Sequence, residues 1–178
     1  MNFCSHCGAR LEWRIPEGDQ HFRHVCPACG TIHYQNPKLV VGCIPEWEDQ
    51  ILLCRRAIEP RSGYWTLPAG FMENGETSAE GALRETWEEA GARVAIGPLY
   101  NLFNLPHINQ VYLIYRAQLL DLEHSPGIES LETRLYRESE IPWEQLAFST
   151  VRLTLELYFR DRAQGCFGFH QTDIRPPR

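Results

Sequence analysis

The sequence predicts an α/β domain in which strands surround one acidic helix and a second helix packs opposite, preceded by a small metal-folded segment. Three observations carry this expectation. Two Cys-x-x-Cys pairs stand at the start of the chain. Runs of β-branched and aromatic residues, bounded by Pro, Gly and Asn, follow from Lys38 onward. Two stretches, Ser78–Ala90 and Phe148–Arg162, carry helix signals: a cap pair in the first, apolar residues at helical spacing in the second.

The first 35 residues contain Cys4-Ser-His-Cys7-Gly and Cys26-Pro-Ala-Cys29-Gly, with 18 residues between the pairs. That spacing is the range of a four-cysteine zinc site. Each Cys-x-x-Cys-Gly turn aims two thiolates at one ion, and four thiolates close a tetrahedral, structural Zn²⁺ site. A segment this short has little core, so metal binding supplies its folding free energy. Disulfides or a redox pair are the competing readings. His6, His21, His24 and His33 are competing ligands that four cysteines make unnecessary. Phe22, Ile32 and Tyr34 are expected to pack this segment or its junction.

Asn36-Pro37 marks a boundary, because a residue before proline leaves the helical region. Lys38–Ile44 reads as a strand, Glu46–Asp49 as a turn and Gln50–Arg56 as a second strand. Arg55 and Arg56 at its end are either solvated charge or a bidentate phosphate clamp. A loop with Pro60 and Gly63 leads through Tyr64 and Trp65 to Gly70. Thr77 followed by Glu80 is a capping-box signature, so a helix starts at Ser78, and Gly91 is a left-handed stop. At about 100° per residue, Glu85, Glu88 and Glu89 share one narrow face, while Ala79, Leu83, Thr86 and Ala90 fall roughly 100–160° away and can pack inward. Clustered carboxylates repel, and a divalent cation relieves the repulsion; a hard oxygen donor set suits Mg²⁺ or Mn²⁺. A solvated acidic face is the bland alternative for a bare Glu-x-x-Glu-Glu.

Beyond this helix, Arg93–Asn104, Gln110–Leu120 and Glu132–Tyr136 read as strands, and Pro142-Trp143-Glu144 as a short helical turn. Val151, Leu155, Tyr158 and Phe159 form the core stripe of the last helix. Gln164–Arg178 reads as a partly mobile tail ending in Pro176-Pro177.

The stretch GFMENGETSAEGALRETWEEAGA fits Gly-x5-Glu-x7-Arg-Glu-U-x-Glu-Glu-x-Gly-U at Gly70, Glu76, Arg84, Glu85, Glu88, Glu89 and Gly91, with Thr86 and Ala92 at the normally bulky U positions. The chain therefore resembles a Nudix hydrolase, over about Asn36 to Asp161. The resemblance implies a Nudix α/β/α sandwich (36–163) behind a zinc ribbon (1–35), with 164–178 as a C-terminal tail. It implies hydrolysis of a nucleoside diphosphate linked to another group. Glu85, Glu88, Glu89 and the Gly70 carbonyl would hold the metal, and Glu76 would support it through Arg84. The base would come from a loop, with Glu129 ahead of Glu132. LPHINQVYLIYRA, SPGIESLETRLY and EIPWEQLAFST are similar to a plant-type FAD pyrophosphatase group. That similarity implies FAD as substrate, with ADP-ribose and then NADH as alternatives. Tyr64, Trp65 and Phe103 are expected to stack on adenine or flavin, or else to be core. A nucleotide-sensing domain without turnover is the alternative of another class.

Composition limits the partners. With 178 residues and a net charge of −6, the chain is poorly suited to gripping a nucleic-acid backbone. The expected partner is a small dinucleotide or nucleotide sugar, and a homodimer stays open. No apolar run approaches the roughly 18 residues of a membrane span. Seven cysteines, an odd number, and the absence of a secretory pattern point to a reduced, cytoplasmic chain.

Overall fold

The computed structural model describes residues 1–175. The chain divides into two compact units, Met1–Pro37 and Lys38–Arg178.

In the first unit, strands β1 (Glu12–Arg14), β2 (Arg23–Val25) and β3 (Ile32–His33) form an antiparallel sheet in that order. The two cysteine turns are alike. Gly8 N–H donates to the Cys4 carbonyl and Gly30 N–H to the Cys26 carbonyl, both at 2.9 Å. Both glycines adopt positive φ, 76° and 73°, which such a turn requires. All four thiols are unbridged, and their sulfurs lie within 4.8 Å of one another. Cys4 Sγ is 3.7 Å from Cys29 Sγ, and Cys7 Sγ is 3.4 Å from Cys26 Sγ. A tetrahedron with Zn–S bonds of about 2.3 Å has edges of about 3.8 Å, so the donor set fits zinc. His33 Nε2 lies 3.4 Å from Cys4 Sγ, beside the cluster rather than within it. Phe22 and Tyr34 depart from expectation: both are exposed, Phe22 stacking on Trp13 and Tyr34 lying under Arg23. The small interior of this unit is taken by Cys4, Val25 and Cys26 instead.

The second unit is built on an eight-stranded sheet. Its strands are β4 (Lys38–Trp47), β5 (Gln50–Arg56), β6 (Trp65–Thr66), β7 (Ala69–Phe71), β8 (Val94–Leu105), β9 (Gln110–Leu119), β10 (Ser130–Arg137) and β11 (His170–Asp173). The main path runs β10-β5-β4-β9-β8-β11, with β6 on β5 and β7 on β4. The hairpin between β4 and β5 pairs only at Glu46↔Ile51 and Trp47↔Gln50, then opens. Beyond that point β7 takes the edge of β4 and β6 takes that of β5. The sheet is therefore forked, and the segment joining β6 to β7 lies in the fork.

Helix α1 (Ser78–Ala90) covers one face. Its capping box is formed by Thr77 and Glu80, and Gly91 caps it in the left-handed conformation. Its buried side differs from the simple angular reading. Gly81, Ala82, Glu85, Thr86, Glu89 and Ala90 are buried, whereas Ala79 and Leu83 are only half-buried. Small residues at 81 and 82 let the helix approach Val41 of β4 closely, and this turns Glu85 and Glu89 inward. Helix α2 (Ser149–Gln164) covers the other face, and Val151, Leu155, Tyr158 and Phe159 are buried there among Ile44, Leu53, Tyr100 and Ile114.

The segment expected as a tail is partly structured. His170–Asp173 pairs parallel with Asn101–Asn104 as the edge strand β11. Buried Asp161 of α2 anchors it, accepting hydrogen bonds from Tyr100 Oη (2.9 Å), His170 Nε2 (2.6 Å) and Gly168 N–H (3.4 Å). Pro176 and Pro177 lie outside the described residues. No helix among the described residues is long and apolar enough to cross a membrane.

Two predictions follow from this architecture. Purified protein carries about one Zn per chain, and its removal by chelation abolishes amide protection in 2–35 while leaving β4–β11 protected; a zinc-free yet protected ribbon would refute this. Burial alone would raise the pKa of Asp161, but bonds from His170, Tyr100 and Arg160 overturn that and hold it at about 2. A depressed carboxylate stabilises above its unfolded value near 3.8, and that contribution is lost as pH falls towards 2. Asp161→Asn should thus be about 2 kcal/mol less stable at pH 6, with the gap closing by pH 2, as measured in parallel denaturant melts.

Candidate active site

The fork opens onto a cavity of about 1250 Å³. One wall is acidic, with Glu85, Glu88 and Glu89 of α1 joined by Glu73 and Glu129. Glu85 and Glu89 are buried and Glu88 is exposed, so the three carboxylates share a face but not an environment.

Arg84 organises this wall. Its Nε and Nη2 bond the two oxygens of Glu76 at 3.0 and 2.8 Å, its Nη1 bonds Glu85 at 2.7 Å and Glu88 at 3.0 Å, and its Nη2 also reaches the Phe71 carbonyl at 3.1 Å. The Arg84 guanidinium, helped by the Glu73 N–H, holds Glu76 well below the usual carboxylate range, at about 2. Its carboxylate partners, Glu76 foremost, raise the pKa of Arg84. Burial pushes Glu85 up, against the pull of Arg84. Glu89 accepts the Ala69 N–H at 3.0 Å, yet burial still lifts it to about 7. A buried carboxylate that ionises reluctantly is one that a cation would stabilise. At position 70 a Cβ would run into the Glu85 carboxylate, so only glycine lets backbone and carboxylate meet there. Hard oxygens around a glycine cradle, without sulfur or imidazole, fit Mg²⁺ or Mn²⁺.

Glu129 is carried on a loop pinned to α1. Gly127 N–H donates to the Glu89 carbonyl at 3.1 Å, and Ala57 N–H to the Glu129 carbonyl at 2.8 Å. Glu132 lies on β10 near Arg55, at 3.8 Å, and does not line the cavity.

Arg56 and Arg61 line the same cavity, and the charge of Arg56 reaches Glu89, pulling its pKa down against burial. Arg56 packs its guanidinium over Phe148, 5.1 Å from the ring centroid, and Arg61 packs over Tyr64 at 5.4 Å. Neither has a carboxylate partner among the described residues. Arg55 departs from expectation. Strand alternation turns it to the other face, where it bonds the Gly63 carbonyl at 2.9 Å. Of the two readings of the aromatics, core is the one that Trp65 and Phe103 take. Trp65 is 5% exposed and packs edge-on against Tyr136, and Phe103 is fully buried. Large aromatics on inner strands are core when both neighbours cover them, and neither residue lines the cavity. Residues not foreseen from the sequence also line it, notably Arg61, His107 and Thr150. They come from loops and a helix end that carry no spacing signal.

The family model described as Nudix N-terminal matches residues 2–35, and that of the NUDIX domain matches residues 36–152. The NAD-capped RNA hydrolase NudC of Stutzerimonas stutzeri is 28% identical over 90% of this chain and 56% of its own length. The ADP-ribose pyrophosphatase of Methanocaldococcus jannaschii is 29% identical over 65% of this chain and 69% of its own. The chain spans about half the length, or less, of the NudC relatives it matches first. These relatives are named for NAD-capped RNA and ADP-ribose, not for FAD. A NUDIX hydrolase from Nitrosomonas europaea, known as a crystal structure, is 58% identical over 99% of this chain and 100% of its own, with a TM-score of 0.96. With a domain match across most of its length and a solved relative of the same extent, the chain belongs to the Nudix hydrolase family.

Proposed function

We propose that this chain hydrolyses the phosphoanhydride of an adenylate-bearing diphosphate, with ADP-ribose ahead of FAD, and that AMP is one product. The observation that carries this reading is that one cavity is lined both by a carboxylate cluster and by two guanidiniums without acidic partners, Arg56 and Arg61. A pyrophosphate group needs both: cationic donors for its oxygens and a carboxylate set for the metal that accompanies it. Bound Mg²⁺ or Mn²⁺ would neutralise the bridging diphosphate and lower the pKa of water.

The chain's own residues divide the work. Glu85, Glu88 and Glu89, with the Gly70 carbonyl, offer the metal ligands. Arg84 and Glu76 fix their orientation as positioning residues. Arg56 and Arg61 hold phosphate oxygens, and Arg56 is preorganised by Phe148. Glu129, carried on its pinned loop, accepts the proton of the attacking water.

ADP-ribose stands first because one relative is named an ADP-ribose pyrophosphatase and another is named for NAD-capped RNA, whose cap also contains an adenylate diphosphate. The flavin-stacking argument also loses Trp65 and Phe103 to the core. FAD is the second reading, favoured by the similarity of LPHINQVYLIYRA, SPGIESLETRLY and EIPWEQLAFST to the plant-type group.

Two experiments test this. ADP-ribose, NADH and FAD incubated with Mg²⁺ in ¹⁸O-water should each release AMP when cleaved, with one labelled oxygen in one monophosphate product and the highest kcat/KM for ADP-ribose. A tenfold lead for FAD would reverse the substrate order and leave the chemistry standing; binding without consumption would make the domain a sensor. Glu88→Gln and Glu89→Gln should each lower turnover roughly 10²-fold or more. For Glu89→Gln a stability gain accompanies the loss. The raised pKa means that ionisation opposes folding as pH passes from 4.5 through about 7, so the metal-free variant is more stable than wild type at pH 8 and equal to it at pH 4.

A further inference from the structure

Where α2 borders the cavity, the lining includes apolar side chains. Val40, Leu67, Tyr112, Ile114 and Val151 make an apolar slot, and three of these belong to the core cluster under the helix. At its floor two threonines stand one helical turn apart, Thr150 at 4% exposure and Thr154 at 1%. Thr154 Oγ1 accepts from Asn101 Nδ2 at 2.8 Å. Thr150 Oγ1 and Asn101 Oδ1 are buried and have no hydrogen-bond partner, the two such side-chain atoms among the described residues.

Threonines elsewhere in this core are satisfied: Thr86 Oγ1 donates to the Ala82 carbonyl at 2.7 Å and Thr66 Oγ1 to the Leu67 carbonyl at 3.0 Å. Thr150 lies in the first turn of α2, where no helical carbonyl stands four residues back. The N-cap, Phe148, supplies no side-chain hydrogen bond. A buried orphan hydroxyl costs stability, and valine would fill the same volume without that cost. A buried hydroxyl with no partner in the chain calls for one, and a polar group of a ligand in the adjoining cavity would supply it.

We propose that Thr150 is a specificity-determining residue that hydrogen-bonds the polar edge of a planar heteroaromatic base, the nucleobase of the substrate, seated in the slot below α2. This rests on the reading of the cavity as the substrate site. The occupant is a neutral ring rather than a phosphate for two reasons. The slot is lined by apolar side chains that would desolvate an anion. The guanidiniums that suit phosphate, Arg56 and Arg61, pack over Phe148 and Tyr64, so a phosphate has cationic seats beside the slot rather than within it. A flat apolar slot with one or two polar groups at its floor orients a base by its edge. Thr154, held by Asn101, positions the helix turn beside it.

The test uses the full chain without divalent metal, so that binding is read without turnover. Calorimetric Kd values are compared for ADP-ribose and for its analogue with indole in place of adenine, which keeps the ring area and lacks a polar edge. Thr150→Val should weaken ADP-ribose binding by about tenfold while leaving the indole analogue within about twofold. Thr150→Ser should restore the adenine preference, and the melting temperature of Thr150→Val should be unchanged or higher. Equal losses on both ligands, no change on either, or no binding of ADP-ribose to wild type would overturn the proposal. Absence of hydrolysis when Mg²⁺ is added back would count against the catalytic reading alone, since the binding comparison does not depend on it.

Discussion

The Arg84 guanidinium sits where Glu76, Glu85, Glu88 and the Phe71 carbonyl converge, and the acidic wall depends on it. Glu85 and Glu88 lie within one helical turn of each other, a spacing at which like charges repel. The guanidinium offsets that repulsion, fixes the side chains in one arrangement and ties β7 to α1. Because Glu76 stays ionised down to about pH 2, the clamp persists over the range in which the neighbouring carboxylates change state. A ligand set held in place before any cation arrives loses less entropy when one binds.

The second constraint is the fork. An uninterrupted hairpin of β4 and β5 would leave no opening between the faces of the sheet. Pairing that stops after Glu46 and Trp47 frees one edge of β4 for β7 and one of β5 for β6. The chain between them then passes beneath Glu89, where Ala69 N–H meets its carboxylate. The site is thus a consequence of unsatisfied strand edges being paired by the chain's next short segments, as buried backbone requires.

What the sequence makes legible is local. The Thr77–Glu80 box, the Gly91 cap, the cysteine turns and the stripe of α2 depend on neighbours a few residues apart, and each is found where periodicity and capping place it. The buried side of α1 is set instead by contact with Val41, so spacing alone misassigns Ala79 and Leu83. Arg55 and Arg56 are adjacent in sequence and opposite in space, and only the pairing of β5 decides which meets the cavity. Trp65 and Phe103 look like ligand aromatics until strand neighbours cover them. Arg61 and Thr150 leave no pattern, because one owes its place to a loop in the left-handed conformation (φ 68°) and the other to a hydrogen bond it does not make.

The two faces of the sheet hold different parts of the site. The carboxylates and Arg84 belong to α1, whose Ala82 packs with Val41 and Cys43, whereas the slot borders α2, whose apolar side packs with Ile44 and Leu53. The two parts meet in one cavity at the fork, each carried on its own helix. Substitutions at the start of α2 can therefore alter what the slot accepts without touching the carboxylates on α1. A lineage built on this chain would diversify by changing what it accepts, with the reaction itself conserved.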